Sequence, residues 1–104
     1  MVKAVKDNIE EIMDTCRKMQ VKSLYLFGSG AREKDFSSES DLDFVFQFTK
    51  NNDGHPILKY DYFDLLFKLQ EITGKKVDLV AEEKISNKYF KERVEREKIK
   101  IYES

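Results

Sequence analysis

The stretch Asp41-Leu42-Asp43-Phe44-Val45-Phe46-Gln47-Phe48 is the most constraining feature of this chain. Successive side chains of a strand point to opposite faces. Leu42, Phe44, Phe46 and Phe48 therefore form one wholly apolar face, and Asp41, Asp43, Val45 and Gln47 form the other. The apolar face demands a cover of helices, whereas a face with two carboxylates must stay open to water or to a ligand. Asp is depleted from strand interiors, so its presence at two alternate positions calls for a reason.

The remaining pattern supplies the cover. Val5, Ile9, Ile12, Met13, Cys16 and Met19 recur at three- and four-residue spacing, which predicts one amphipathic helix from Lys3 to Gln20. Ser23-Leu24-Tyr25-Leu26-Phe27 reads as a strand stopped by Gly28-Ser29-Gly30, after which Ala31 to Lys34 opens a short helix. Asp35 to Ser40 and Thr49 to Lys59, with Asn51-Asn52-Asp53-Gly54 and Pro56, read as loops. Tyr62, Phe63, Leu65, Leu66, Phe67, Leu69 and Ile72 predict a helix closed by Gly74. Lys76 to Val80 is a third strand, Ile85, Phe90 and Val94 mark a last helix, and Lys100-Ile101-Tyr102 a short extended tail. Helices on both sides of short strands give an α/β (α+β) fold of two or three layers around a small mixed sheet.

With 104 residues the chain reads as one domain, 1–104, built on a single small core. Its 19 Lys and Arg against 20 Asp and Glu give no global attraction to polyanions, so direct nucleic-acid binding is not expected. No apolar run approaches the roughly 20 residues that span a bilayer, and residues 1–11 are too charged for a leader segment; the expectation is a cytoplasmic protein. Cys16 is the only cysteine, which excludes an internal disulfide, and its place in the helical pattern marks it as a core residue.

Asp78 is a third carboxylate on a strand, and it can join Asp41 and Asp43 if its strand is their neighbour. Three clustered carboxylates repel one another unless a multivalent cation neutralises them. Ligation by oxygen alone favours Mg²⁺ or Mn²⁺ over zinc, and Mg²⁺ commonly completes its shell with phosphate and water. Gly28-Ser29-Gly30, a glycine-rich turn opening into a helix, can cradle a phosphate with backbone N–H groups, the Ser29 hydroxyl adding a donor and Arg32 lying one turn on.

In this order and spacing, Gly28-Ser29 after a strand, Asp41-Leu42-Asp43 on the next and Asp78 on a later one resemble the nucleotidyltransferases of the DNA polymerase β-like superfamily. Leu26-Phe27-Gly28-Ser29-Gly30-Ala31-Arg32, Ser40-Asp41-Leu42-Asp43 and the ending Ile101-Tyr102-Glu103 are similar to its minimal nucleotidyltransferase (MNT) group. Glu33 stands where that pattern has glycine, and the loop of residues 30–40 is slightly longer than its usual spacing.

The resemblance implies a palm-like core and a Mg²⁺-dependent transfer of AMP from ATP to a hydroxyl, with pyrophosphate leaving. It implies that Asp41 and Asp43 bridge two metal ions, that Asp78 binds the second and helps deprotonate the acceptor, and that Gly28, Ser29 and Arg32 hold the triphosphate. It also implies a HEPN-domain toxin as partner, with a tyrosine of that toxin as acceptor and antitoxin activity as the outcome. Two alternatives stand beside it: an antitoxin that only masks its partner, and transfer to a small molecule or an RNA end. A chain this short has little material for gripping an acceptor, so a partner or an oligomer must supply the grip.

Other residues read as ordinary. His55 lies in a polar loop and is expected to be solvated. Residues 84–104 hold seven Lys and Arg against Glu92, Glu95, Glu97 and Glu103, which reads as a solvated helix face, with docking of an acidic partner as the alternative. Tyr60, Tyr62 and Phe63 are expected in the core, with one to spare for an interface.

Overall fold

The structure, a computed structural model, describes residues 1–32, 41–54 and 60–104, except for the side chains of Ser29 and Arg32. The expected loop 35–40, Glu33, Lys34 and His55 lie outside the described residues.

The elements run α1 (Lys3–Lys6), α2 (Ile9–Lys18), β1 (Val21–Phe27), α3 (Ser29–Arg32), β2 (Leu42–Phe48), α4 (Tyr62–Thr73), β3 (Val77–Ala81), a 3₁₀ turn (Glu82–Lys84), α5 (Lys88–Glu97) and β4 (Ile99–Glu103). The four strands form one sheet in the order β3-β2-β1-β4. β2 and β3 are parallel, with α4 in the connection between them, while β1 runs antiparallel to both β2 and β4. The sheet is thus mixed, as the sequence predicts.

The apolar face of β2 settles the main core. Leu42, Phe44 and Phe46 lie beside Leu24 and Leu26 of β1 and Leu79 of β3, and all are buried under Val5, Ile12 and Cys16 on one side and Leu65 and Leu69 on the other. Each such side chain contributes about 1.5–3 kcal/mol when fully buried. α4 is fixed at both ends by local chemistry. Asp61 accepts a hydrogen bond from the Asp64 amide while Asp64 accepts one from the Asp61 amide, both at 2.9 Å. Gly74 closes the helix at φ +68°, a left-handed conformation in which glycine carries no Cβ penalty.

One expectation is corrected and two are sharpened. The single helix over 3–20 is broken at Asp7–Asn8, where the Asn8 side chain donates to the Ala4 carbonyl at 2.7 Å and competes with the helical ladder. The extended tail is a full strand, β4, paired along β1. Of the three aromatics expected in the core, Phe63 is the one to spare: it is 57% exposed, its ring edge to face with Tyr62 and tilted against Phe67, whereas the Tyr62 ring packs on Phe46 and its hydroxyl donates to the Leu79 carbonyl at 2.5 Å. Cys16 is fully buried, and burial pushes its thiol pKa up to about 12. Among the described residues no helix is long and apolar enough to cross a membrane.

Among the described residues, the opposite face of the sheet is covered by α5 alone. The Asn87 side chain caps this helix by accepting from the Phe90 amide at 3.0 Å. Phe90 and Val94 then pack with Ile85 on Phe27 and Val45 in a second, smaller cluster. The Phe27 and Phe90 rings meet edge to face at 5.7 Å. Beyond this cluster, at the end where β1 finishes and β2 and β3 begin, no element among the described residues covers the face.

Candidate active site

The sheet register sets the site. Asp43 lies opposite Phe27, the last residue of β1, and opposite Asp78 on the parallel β3. Neighbouring strands lie about 4.8 Å apart, so Asp43 and Asp78 share one face as an adjacent pair. Val45 and Val80, next along the same faces, are likewise opposite each other. Polarity thus changes within one step of each strand, from valine under α5 to carboxylate at the opening.

Gly28 follows β1 directly and turns the chain at φ +71°. A Cβ built on it would lie 2.7 Å from Asp43 Oδ2, inside van der Waals contact. Only glycine lets the backbone pass so close to that carboxylate in this conformation. The Ala31 amide donates back to the Gly28 carbonyl at 3.1 Å, which starts the short helix α3.

Gly28, Asp43 and Asp78 line a cavity of about 320 Å³ together with Phe27, Val80, Phe90 and Arg93. Arg93 comes from α5, and its Nε donates to Glu97 Oε2 at 3.2 Å. Asp41 is exposed and does not line this cavity. β2 begins at Leu42 rather than at Asp41, because the first ladder pair is Leu42 with Val77, and Asp41 sits one residue outside the sheet. Among the described residues no three carboxylate, imidazole or thiolate groups come together as a metal cluster. The pair Asp43 and Asp78 offers only oxygen donors, and bare Cα at Gly28 keeps room beside Asp43; this donor set suits a hard divalent cation such as Mg²⁺. A larger cavity of about 550 Å³, walled by Phe46, Phe48, Tyr62 and Leu79, carries none of the strand carboxylates.

Sequence reasoning reached Asp43, Asp78 and Gly28 but missed Arg93, Phe90 and Val80 as neighbours of them. The stripe Phe90 to Val94 signalled that α5 packs on the sheet, but not onto which face or how near its end.

Residues 9–104 match the family described as Polymerase beta, Nucleotidyltransferase. The chain belongs to that nucleotidyltransferase family. It is 39% identical over 84 residues to an inferred protein adenylyltransferase of Methanocaldococcus jannaschii, covering 81% of this chain and 80% of that one. A solved structure of an inferred minimal nucleotidyltransferase superposes with a TM-score of 0.73 at 28% identity, over 93% of this chain and 92% of the other. The MNT antitoxin complex with the tri-AMPylated HEPN toxin of Shewanella oneidensis has a TM-score of 0.62 at 20% identity, over 95% and 72% of the two chains, and shares the fold. The chain is therefore an enzyme of the nucleotidyltransferase class, with the minimal nucleotidyltransferase fold; nucleotidyltransferases of this kind use a nucleotide substrate and a metal.

Proposed function

We propose that this nucleotidyltransferase moves AMP from ATP, with Mg²⁺, onto a tyrosine hydroxyl of a HEPN-domain toxin and so acts as its antitoxin, the whole chain serving as one minimal catalytic unit. The observation that carries the reading is the carboxylate pair Asp43–Asp78 set against Gly28 in an open cavity. The similarity to a protein adenylyltransferase and the shared fold with an antitoxin bound to an AMPylated HEPN toxin support the acceptor.

In this reading Asp43 and Asp78 hold the metal, joined by Asp41 from the edge of β2. Bound there, the metal would offset phosphate charge and lower the pKa of the acceptor hydroxyl. Asp78 takes the tyrosine proton as the phenolic oxygen bonds to the α-phosphorus. The bond from that phosphorus to the bridging oxygen breaks, and pyrophosphate leaves with the electron pair. Gly28, Ser29 and Arg32 hold the triphosphate, and the bare Cα of Gly28 lets its backbone come close.

The test is incubation of the purified protein with labelled ATP, Mg²⁺ and cell lysate or a co-purified HEPN-domain partner, read by mass analysis of the labelled species. Gain of AMP on a partner tyrosine is the expected result. Stable partner binding with no transfer from any nucleotide overturns it in favour of masking alone, and label on RNA or a small hydroxyl compound moves the activity to another acceptor.

A further inference from the structure

Arg93 is the one cation among the described residues that line the cavity of Asp43 and Asp78. It stands on α5, an element that the motifs of the sequence leave out of the site. Two facts define its setting. Its Nε is occupied by Glu97 Oε2 at 3.2 Å, one helical turn on, which restrains the side chain. The guanidinium carries further N–H donors on its two Nη atoms, in a planar fork that matches phosphate oxygens. The side chain is 56% exposed, so a ligand entering from solvent can reach it.

The walls of the cavity differ in sign. Asp43 and Asp78 form the sheet wall, and Arg93 belongs to the helix wall, with Phe27 and Phe90 packed edge to face below. A ligand that suits both walls carries anionic oxygens for the helix side and arrives with a cation for the sheet side. A nucleoside triphosphate with its divalent metal has that charge pattern. A neutral hydroxyl acceptor gives a guanidinium no anionic partner.

We propose that Arg93 is a phosphate-binding residue of this site, its Nε held by Glu97 while its Nη groups donate to non-bridging oxygens of the nucleotide's polyphosphate. The inference rests on the nucleotide-transfer reading and extends it to a further element of the fold, α5. Exposed ion pairs within a helix are weak, so Glu97 orients the guanidinium without competing strongly for it.

The test is titration of the intact protein with ATP, inorganic pyrophosphate and adenosine in Mg²⁺, followed by calorimetry, for the wild type, Arg93→Ala, Arg93→Lys and Arg96→Ala. Arg96 lies on the same helix but lines a separate surface with Lys88 and Lys91, so its variant removes the same charge elsewhere. Arg93→Ala should weaken ATP and pyrophosphate by roughly tenfold or more and leave adenosine unchanged. Arg93→Lys should fall between, because it keeps the charge and loses the fork, and Arg96→Ala should match the wild type. Unchanged ATP affinity in folded Arg93→Ala, or equal losses in Arg96→Ala, overturns the role of Arg93 alone. A wild type that binds neither ATP nor pyrophosphate overturns the nucleotide reading and Arg93 with it.

Discussion

The two faces of the sheet are built on opposite terms. One is closed by three helices over a continuous core in which Leu24, Leu26, Leu42, Phe44, Leu65 and Leu69 are fully buried. The other is covered, among the described residues, by α5 alone, through Phe27, Val45, Phe90 and Val94, and gives way to the cavity of Gly28, Asp43 and Asp78. Stability is thus concentrated on one side of β2 and, in the proposed function, chemistry on the other, and the same strand serves both because its side chains alternate. A small domain has little stability to spare; this division keeps two adjacent carboxylates off the face that holds the fold together.

The comparison is broken most sharply at the carboxylates. Asp78→Asn should lower AMP transfer by about 10²–10⁴-fold, the range for losing a positioned proton acceptor. Its unfolding free energy should be unchanged or up to about 1 kcal/mol higher, since like charges directly opposite on neighbouring strands are destabilising. Radiolabel transfer and urea unfolding of the same preparation check both; a large loss of stability would mean that the face is structural after all.

On the closed face the balance reverses. Phe44→Ala should cost about 3–5 kcal/mol, against about 1–2 kcal/mol for Val94→Ala in the smaller cluster, measured as shifts in the urea midpoint. Equal costs would remove the asymmetry.

Gly28→Ala lies at the seam of the two regions. The added Cβ meets Asp43 Oδ2 at 2.7 Å in a backbone with φ +71°. A destabilisation of about 1–3 kcal/mol is expected from the strain, with transfer reduced because the carboxylate has to shift.

The smallest effect is expected at Cys16 on the closed side. Burial raises its pKa to about 12 in the folded state, above the ordinary value near 8.5 of an unfolded thiol. The folded state therefore keeps a proton that the unfolded state releases. The contribution of this thiol is fully present below the unfolded pKa and is lost as pH rises toward the folded one, by at most about 1.4 kcal/mol per pH unit. Urea midpoints at pH 8, 9 and 10 should fall more steeply for the wild type than for Cys16→Ala.

Much of this was legible in the residues themselves. The alternation in 42–48 placed Phe44 and Asp43 on opposite faces, the spacing of Leu65, Leu69 and Gly74 bounded α4, and Gly28 marked a backbone turn, because each follows from local periodicity or from a φ that one residue type prefers. Asn8 interrupts the first helix through a side-chain bond to Ala4, a local competition that apolar spacing does not register.

The sequence by itself determined which residues are apolar, which alternate and where the turns must fall. Only the tertiary structure decided that β3 pairs in parallel with β2 so that Asp78 meets Asp43, that the C-terminal segment becomes a strand beside β1, and that α5 brings Arg93 to the carboxylates. The physical reason is the same in each case. Strand pairing and helix docking join residues far apart in the chain, and their register is selected by the summed burial of whole faces, a quantity that no local stretch of sequence carries.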